Sequence, residues 1–320
     1  MQLAIVIVNY KTPQLVVDCL QSLQTEIDAK EHRVIIVDNC SNDGSVDMMQ
    51  EAIATRSWSD WAEVLPSSVN GGFSAGNNLG IEAVDAEAYL LLNSDTVVRP
   101  GAIATLLKTL ADNPAAGLVS PRLEWPDATP QISCFHYHSP ISELIDAAAT
   151  GPVTKVLQAW NVPISVSDQP MEPDWTSFAC VLVRKAVIKQ IGLMDEGYFM
   201  YYDDIDYCRQ ARNIGWTVLH NPAARVVHLR GGSGSVKSDI AKRKRPRPYL
   251  YASRARYFSK FYGVPGLWLA NMMWLLGRGI ARLREAVGHK QPHTCQNAEQ
   301  DIWMNWTNPL KPALVPGKEN

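Results

Sequence analysis

The sequence lacks the cysteine patterns on which small metal-binding or secreted domains depend. Its six cysteines are scattered through 320 residues, and no two of them stand in C-x-x-C spacing. Neither a zinc ribbon nor a disulfide scaffold is therefore indicated, and a reducing cytosol is the expected compartment. A basic region ahead of the first apolar run is also missing, so this run predicts a buried strand and not a signal peptide.

Long apolar runs and a strong overall charge are absent as well. In the basic carboxyl-terminal region, the longest uncharged run covers residues 261–277 and includes glycine, proline and asparagine. A membrane-spanning helix needs about 20 predominantly apolar residues, so no span is predicted. The formal net charge is only −2, from 30 basic and 32 acidic residues. The overall charge therefore gives no reason to expect nucleic-acid binding.

The sequence does contain enough apolar material for a large core, with 46% hydrophobic and 19% charged residues. Apolar runs that predict strands alternate with helical patterns, and these runs lie at residues 3–8, 34–37, 63–65, 89–92 and 117–119. Strands that are apolar on both faces are typical of a mostly parallel sheet covered by helices on both sides. The predicted fold class is therefore α/β. Residues 121–170 are rich in proline, and we expect irregular structure there.

Small polar clusters follow four of the predicted strands, at residues 9–10, 38–43, 70–78 and 93–95. Ligands of such sheets bind beyond the carboxyl ends of the strands, so the clusters are expected at one edge. Each cluster alone is typical of a cap or turn, whereas the four together indicate a binding site. The glycines of the third cluster lack the G-x-G-x-x-G order, which argues against a nicotinamide dinucleotide but leaves a phosphate plausible.

Carboxylates are the candidates for chemistry. Asp95 follows a buried strand and suits Mg²⁺ or Mn²⁺ shared with a diphosphate, although a lone aspartate in a turn is more often a cap. Asp203 and Asp204 follow an aromatic run at residues 199–202 and begin a predicted helix. A partly desolvated carboxylate beside another one can acquire a raised pKa and act as a general base. His228, just after a strand, is a candidate metal or phosphate ligand.

Taken in order, these motifs resemble those of family 2 glycosyltransferases, specifically the rhamnosyltransferase-like branch. The resemblance covers about residues 1–235 and rests on seven motifs, at residues 8–10, 37–45, 70–80, 93–95, 195–199, 203–206 and 228–233. It implies a GT-A fold, which is an αβα sandwich with a mixed, mostly parallel sheet. It also implies a divalent cation, Mg²⁺ or Mn²⁺, and an inverting transfer from a nucleotide-diphospho-sugar.

The resemblance also implies roles for individual residues. Six would bind the donor, in order from nucleobase to sugar: Tyr10, Asp38, Gly71, Gly72, Asn77 and Asn93. The first two would contact the base, the next three would line the ribose and diphosphate, and the last would lie beside the sugar or ribose. Asp95 would bind the metal and His228 would face the metal and diphosphate. Asp204 would be the catalytic base, with Asp203 beside it.

Three positions depart from the family pattern. Cys40 stands where glycine is usual, which we expect to alter only a turn. Asp203 replaces the usual glutamate and shortens that side chain by a methylene group. Phe178 replaces a small glycine near the expected acceptor site. This last change leaves both the donor sugar and the acceptor undefined by the sequence.

The expected function is metal-dependent, inverting transfer of a sugar, with rhamnose among the candidates. The acceptor would be a hydroxyl of a saccharide or polyprenyl-linked molecule in cell-surface polysaccharide synthesis. Two alternatives stay open at this point, a nucleotidyltransferase that makes a nucleotide-sugar and a non-catalytic nucleotide-sugar-binding protein. The first should carry a glycine-rich signature with Arg or Lys near the first strand, where Lys11 stands alone. The presence of both Asp95 and Asp204 argues against the second.

The charge is unevenly distributed along the chain. Residues 237–290 contain 13 basic and 2 acidic residues, and the rest of the chain contains 17 basic and 30 acidic ones. We therefore predict the following regions: a GT-A domain at 1–235, with a donor half at 1–115 and an acceptor half carrying the base at 116–235, a basic amphipathic helical extension at 236–290, and a tail at 291–320.

The basic extension has two main interpretations. Its helices either pack on the catalytic domain with a solvated basic face or hold the protein on an anionic membrane surface. We favour the second interpretation, which predicts a cytoplasmic protein held peripherally on the inner face of the cytoplasmic membrane. Nucleic acid is a weaker third option, since no recognised binding fold accompanies the charge, and no nucleic-acid partner is predicted.

Overall fold

A computed structural model describes residues 1–230, 241–288 and 293–312. The chain divides into two compact units: unit 1, at residues 1–135, 165–196 and 203–233, and unit 2, at residues 136–164, 197–202 and 234–320. The end of the seventh motif, at residues 231–233, lies outside the described residues. The boundaries predicted at residues 115, 235 and 290 remain predictions.

Strands and helices alternate through most of unit 1. The strands are β1 Leu3–Asn9, β2 His32–Asp38, β3 Ala62–Pro66, β4 Ala88–Asn93, β5 Thr96–Val98, β6 Ala116–Glu124, β7 Cys134–Phe135, β8 Trp175–Thr176, β9 Cys180–Arg184 and β10 Thr217–His228. The α-helices bounded within the described residues are α1 Pro13–Leu23, α2 Ser45–Thr55, α3 Gly72–Glu82, α4 Ala102–Asp112, α5 Pro140–Ala148, α6 Gly151–Val156, α7 Lys185–Ile191, α8 Asp203–Asn213, α9 Pro248–Gly288 and α10 Ala298–Asp301. Helices α5, α6, α9 and α10 belong to unit 2.

Unit 1 is organised around one sheet with the strand order β3-β2-β1-β4-β9-β6-β10-β5. Strands β3, β2, β1 and β4 run parallel to one another, and β6 runs parallel to β10. Strand β9 is antiparallel to both of its neighbours, and β5 is antiparallel to β10. The central strands are buried because their residues are apolar on both faces. The predicted α/β fold with a mixed, mostly parallel sheet is confirmed.

Helix α3 lies unusually close to the central strand β1. A Cβ atom at Gly80 would lie 2.3 Å from Cγ1 of Val6, and one at Gly76 would lie 2.8 Å from Cγ1 of Val8. Only glycine leaves room for this approach. These two glycines of the third motif therefore serve packing, because they let the helix lie directly on the strand.

Unit 2 is held together by contacts between α5 and α9. A Cβ atom at Gly277 would lie 2.4 Å from the carbonyl oxygen of Leu144, so the two helices touch backbone to backbone. Arg254 donates two hydrogen bonds to Glu143, at 3.0 and 2.8 Å, and a third to Oδ1 of Asn271 at 2.7 Å. Arg254 is buried in this network. It is therefore paired inside the unit and does not contribute to a solvated basic face.

The predicted helical extension is observed as one long helix with a kink. Helix α9 bends at Gly263, whose φ of 70° and ψ of 175° lie outside the helical region, and Pro265 follows directly. The bend separates the segment before it from an outer segment at residues 264–288. Among the described residues, no helix combines the length and the apolar character needed to cross a membrane.

The expectation of irregular structure across residues 121–170 is wrong. Strand β6 continues to Glu124, and α5 and α6 both lie within this range. Their prolines begin helices and do not interrupt them, because Pro140 and Pro152 occupy the first helical turn, where the missing N–H costs nothing. Ser139 completes the start of α5, since its hydroxyl accepts a hydrogen bond from the backbone N–H of Ser142.

Candidate functional site

The carboxyl ends of β1, β2 and β4 meet at one edge of the sheet. The register pairs Asn9 with Asp38 across β1 and β2, and Val8 with Asn93 across β1 and β4. The polar clusters that follow these strands therefore begin side by side, as expected for a ligand-binding edge of a parallel sheet.

Asp38 is buried, and its carboxylate is held by two neighbours. The side-chain amide of Asn9 donates to Oδ1 at 2.7 Å, and the hydroxyl of Ser41 donates to the same oxygen at 2.6 Å. The backbone N–H of Ser41 donates to Oδ2 at 3.0 Å. Asn9 was not predicted as a site residue, although its position at the end of a buried strand was the available signal. Its role is to fix the Asp38 carboxylate and the loop that follows.

Tyr10 is the exposed member of the first cluster. Its side chain is 42% exposed, and the ammonium group of Lys11 lies 5.4 Å from the centre of its ring. An exposed aromatic face at this edge can stack on a planar base. The geometry therefore leaves Tyr10 accessible to a ligand, whereas the neighbouring Asn9 is fully buried.

The second and third clusters are joined by Asn39, which was not predicted as a site residue. Its amide nitrogen donates to Oδ1 of Asn70 at 3.0 Å and to the carbonyl oxygen of Gly72 at 2.9 Å. Its amide oxygen accepts from the backbone N–H of Gly71 at 3.3 Å. Gly72 has a φ of 87°, a conformation that favours glycine. Asn39 thus positions the two glycines at the start of α3.

Asn77 and Asn78 lie side by side on α3 and have different partners. Asn77 is buried, and its amide donates to the carbonyl oxygen of Phe73 at 2.9 Å, within the same helix. Asn78 donates to the carbonyl oxygen of Met194 and to Oε1 of Glu196, both at 2.9 Å. Asn78 therefore ties α3 to the segment that carries the fifth motif. The observed contact of Asn77 is with the backbone of its own helix.

Asp95 and His228 are brought together by the pairing of β5 with β10. The register places His228 opposite Thr96, the residue after Asp95. As a result, Nε2 of His228 lies 3.5 Å from Oδ1 of Asp95, and both side chains are buried. The carbonyl oxygen of His228 accepts a hydrogen bond from Gln131 at 2.7 Å, which holds the strand end in place. Two residues that lie far apart in sequence therefore share one small site.

The pair fits a divalent cation shared with a diphosphate. Among the described residues, no group of three or more His, Cys, Asp or Glu side chains is arranged to hold a metal by itself. Mg²⁺ and Mn²⁺ commonly use one or two protein ligands and take the remaining oxygens from phosphate and water. Nδ1 of His228 is buried and has no hydrogen-bond partner among the described residues. The carboxylate of Asp95 and an imidazole nitrogen of His228 are a suitable donor set.

Asp203 and Asp204 begin α8 in different environments. Asp203 is buried, and burial raises its pKa well above the ordinary value, with further contributions from the nearby charges of Asp204 and Asp206. Asp204 is half-buried, and its Oδ1 accepts a hydrogen bond from the backbone N–H of Ile205 at 2.9 Å. The raised pKa expected for this acidic pair is therefore found at Asp203.

Phe178 packs in the interior of unit 1. Its ring meets that of Tyr207 on α8 edge to face, with 6.2 Å between the ring centres. The carbonyl oxygen of the next residue, Ala179, accepts a hydrogen bond from the backbone N–H of Asn93 at 2.9 Å. The Phe178–Ala179 segment thus connects α8, which carries the acidic pair, to the carboxyl end of β4.

The mixed, mostly parallel sheet with helices on its faces is the GT-A fold found in solved glycosyltransferases. The family model described as glycosyl transferase family 2 matches residues 4–150. This match and the relatives described next identify the chain as a glycosyltransferase. The alternative classes, a nucleotidyltransferase and a non-catalytic binding protein, are therefore set aside.

Known proteins similar to this chain agree with this class. It is 28% identical over 268 residues to the N-acetylglucosaminyl-diphospho-decaprenol L-rhamnosyltransferase of Mycobacterium tuberculosis. The aligned region covers 78% of this chain and 81% of the relative. It is 25% identical over 229 residues to the dTDP-rhamnosyl transferase RfbF of Shigella flexneri, and the aligned region covers 71% of this chain and 68% of that relative. Its fold is similar to that of the mannosyltransferase PcManGT from Pyrobaculum calidifontis, which was solved with GDP-Man and Mn²⁺, and the TM-score is 0.54. The superposition covers 98% of this chain and 85% of that structure, at 12% sequence identity.

Proposed function

We propose that the protein transfers a sugar, with rhamnose as the first candidate, from a nucleotide-diphospho-sugar to a hydroxyl group of a saccharide or polyprenyl-linked acceptor. The transfer inverts the anomeric configuration and requires Mg²⁺ or Mn²⁺. The observation that carries the proposal is the buried Asp95–His228 pair at the edge where the polar loops begin. Rhamnose and a lipid-linked acceptor are supported by the names of the relatives in Mycobacterium tuberculosis and Shigella flexneri.

The donor would bind along the polar edge of the sheet. Tyr10 is exposed there and would stack on the base, whose edge Asp38 would contact. Asp38 already accepts hydrogen bonds from Asn9 and Ser41, and a carboxylate has room for a further one. The remaining proposed donor contacts follow toward the sugar: Gly71, Gly72, Asn77 and Asn93.

Asp95 and His228 would hold the divalent cation together with the diphosphate oxygens. When bound, the cation would neutralise the negative charge that develops on the leaving diphosphate. The protein contributes two buried ligands that are already in place, so little rearrangement is needed at the moment of reaction. The proposed donor set explains why a carboxylate and a histidine are held in contact away from water.

Asp204 would accept the proton of the acceptor hydroxyl as that hydroxyl attacks the anomeric carbon opposite the leaving diphosphate. Asp204 is more accessible than Asp203, and an accessible carboxylate is the better candidate to reach a substrate hydroxyl. The single displacement needs no covalent intermediate. Burial and the neighbouring Asp204 raise the pKa of Asp203, which disfavours a second negative charge beside the proposed base.

A donor screen tests the proposed function. The purified protein is mixed with a panel of nucleotide-sugars, dTDP-rhamnose among them, and with Mg²⁺ or Mn²⁺ and saccharide or polyprenyl-linked acceptors. We expect release of the free nucleoside diphosphate with one donor and loss of this release on chelation of the metal. Release of pyrophosphate, or turnover that persists without a divalent cation, would contradict the proposal.

The proposed metal site has its own experiment. Asp95→Ala should lower turnover by several orders of magnitude and should remove the dependence of donor binding on the metal, because the diphosphate loses its charge partner. Calorimetry of donor binding with and without Mn²⁺ measures this directly. Asp43→Ala, an exposed acid of the second polar loop, is the matched control and should keep the dependence. An equal response of donor affinity to Mn²⁺ in Asp95→Ala and the wild type would refute the assignment.

A further inference from the structure

The outer segment of α9, at residues 264–288, carries a continuous apolar face that the protein leaves exposed. At 100° per residue its side chains fall within an arc of about 100°, so they share one side of the helix. They are between 41% and 85% exposed, and they are Trp268, Leu269, Met272, Leu276, Leu283 and Val287. From the first to the last, the face is about 29 Å long at 1.5 Å per residue. An uncovered apolar surface of this length marks an interaction site.

The opposite side of the same segment is already used. Leu267, Ala270, Gly277 and Ala281 are buried, and Gly277 lies against the backbone of Leu144 in α5. The helix is thus fixed in unit 2 by its inner side. The exposed side chains are not needed for that packing, and their exposure is a property of the folded unit.

A cluster of tryptophans lies at one end of the apolar face. The ring of Trp268 lies 5.2 Å from that of Trp303 and 5.3 Å from that of Trp306, measured between ring centres. Trp306 is itself 41% exposed. Tryptophan is enriched where a protein meets the boundary between lipid and water, because its ring is apolar and its N–H is polar.

Cations border the apolar face on both sides. Arg282 and Arg284 flank Leu283 in sequence, and at 100° per residue they lie on either side of the apolar stripe. The one acidic residue between Val264 and Val287 is Glu285, which is buried and paired with Arg278 at 2.8 Å. The segment therefore has no unpaired acidic side chain of its own, although Arg282 is itself paired with Glu299 of α10.

Unit 2 carries further basic charge at its surface. Lys242, Arg243, Lys244 and Arg247 are all exposed. Counted from the sequence, the described residues of the unit contain thirteen basic and five acidic side chains. An apolar face with cations at its borders complements a negatively charged apolar surface. Two copies of this face brought together would instead place like charges opposite one another, which is unfavourable.

We propose that the exposed apolar face of α9 docks on the surface of an anionic lipid bilayer, with Leu276 and Leu283 inserted among the acyl chains. The helix lies along the surface and does not cross it, in the manner of interfacial amphipathic helices. The basic side chains add attraction to anionic headgroups. This inference rests on the proposed function in one respect, since a polyprenyl-linked acceptor would be presented at the same surface.

Co-sedimentation with vesicles tests the proposal. Vesicles of phosphatidylcholine, with and without about one third phosphatidylglycerol, are mixed with the full-length protein in the absence of any nucleotide-sugar. We expect binding to the anionic vesicles that falls steeply as NaCl is raised from about 0.1 M to about 0.5 M. Equal binding to neutral and anionic vesicles, or binding to neither, would overturn the proposal.

A double variant that introduces two charges tests whether the exposed apolar face of α9 is the part of the protein that binds vesicles. Leu276→Glu together with Leu283→Glu should lower the partition coefficient by roughly tenfold or more, because two inserted leucines become charged. Both positions are more than half exposed, so we expect the thermal unfolding midpoint to stay unchanged. The matched control, Val156→Glu with Val166→Glu, changes two exposed valines outside this helix and should bind vesicles like the wild type.

Two further measurements distinguish membrane docking from dimer formation through the same face and from the proposed sugar transfer. A concentration-dependent dimer in light scattering that disappears in the Leu276→Glu, Leu283→Glu variant would overturn it and make the face an interface between two copies. Donor turnover without vesicle binding would overturn the docking proposal and leave the proposed function standing. Vesicle binding without turnover of any donor would uphold the docking surface and contradict the proposed function.

Discussion

At the scale of single residues, the two adjacent aspartates at the start of α8 differ in their exposure to solvent and in their electrostatic environment. Asp203 is 6% exposed and has a raised pKa, whereas Asp204 is half-buried. The difference follows from the helix, which turns the side chain of Asp203 to the same side as those of the buried Asp206 and Tyr207. Kinetic and stability measurements can distinguish the buried acid, whose pKa is raised, from the more accessible one.

We expect Asp204→Asn to lower the rate of sugar transfer by roughly a hundredfold to ten-thousandfold, because the amide cannot accept the proton of the acceptor hydroxyl. The dissociation constant of the donor should stay unchanged, since the shape of the side chain is preserved. Steady-state kinetics and calorimetry measure the two quantities. If Asp203→Asn abolishes transfer while Asp204→Asn remains active, the base has been assigned one residue too late.

We expect Asp203→Asn to change the pH dependence of stability. An unfolded aspartate has a pKa of about 3.9. The folded pKa of Asp203 is higher, so its contribution to stability is fully present at low pH and is lost as pH rises through the folded pKa. An asparagine stays neutral, so the melting temperature of the variant should rise relative to the wild type as the pH increases above about 4, the pKa of an unfolded aspartate.

Asp85→Asn is the control for this pH measurement. Lys185 donates a hydrogen bond to Asp85 and lowers its pKa, so the stability that Asp85 contributes is lost as pH falls. Asp85 is highly exposed, and its effect should be small and of opposite sign. A melting-temperature difference between Asp203→Asn and the wild type that does not vary with pH would show that the Asp203 carboxyl titrates like an ordinary aspartate.

At the scale of elements, the packing of α3 on β1 depends on two glycines. Gly80→Ala would place a methyl group 2.3 Å from Cγ1 of Val6, and it should destabilise the protein by about 1–3 kcal/mol, the usual cost of overpacking a core. Adding Val6→Ala should restore part of this loss. Gly279→Ala is the control, because that glycine lies in α9 with open space around it, and alanine there should stabilise by about 0.5–1 kcal/mol. Denaturant unfolding compares the variants, and equal effects of the two alanines would refute the packing role.

The elements also show what the sequence could and could not predict. Strands β1, β2 and β4 are continuous apolar runs, and both their existence and the polar clusters after them were predicted correctly. Helix α5 was missed because the proline content of residues 121–170 was taken to indicate irregular structure, whereas Pro140 lies in the first turn of the helix. The contact between Asp95 and His228 depends on the register of β5 with β10, and a local pattern carries no information on such a long-range pairing.

At the scale of the whole molecule, the net charge conceals a strong segregation of charge. The formal total is −2, yet residues 237–290 contain 13 basic and 2 acidic residues. Part of this basic charge is neutralised inside unit 2, because Arg254 pairs with Glu143, Arg278 with Glu285 and Arg245 with Asp301. The exposed remainder, including Lys242 and Lys244, is what an external surface would meet.

We therefore expect the protein to bind a cation-exchange resin at neutral pH although its net charge is negative, because local patches and not the total decide short-range attraction at ordinary ionic strength. Lys242→Glu with Lys244→Glu should elute at a clearly lower salt concentration than the wild type. Lys30→Glu with Lys108→Glu changes the total charge by the same amount in unit 1 and should elute close to the wild type. A wild-type protein that passes through the resin unretained, or an equal shift for both variants, would mean that the net charge governs binding and that the basic run of unit 2 has no separate effect.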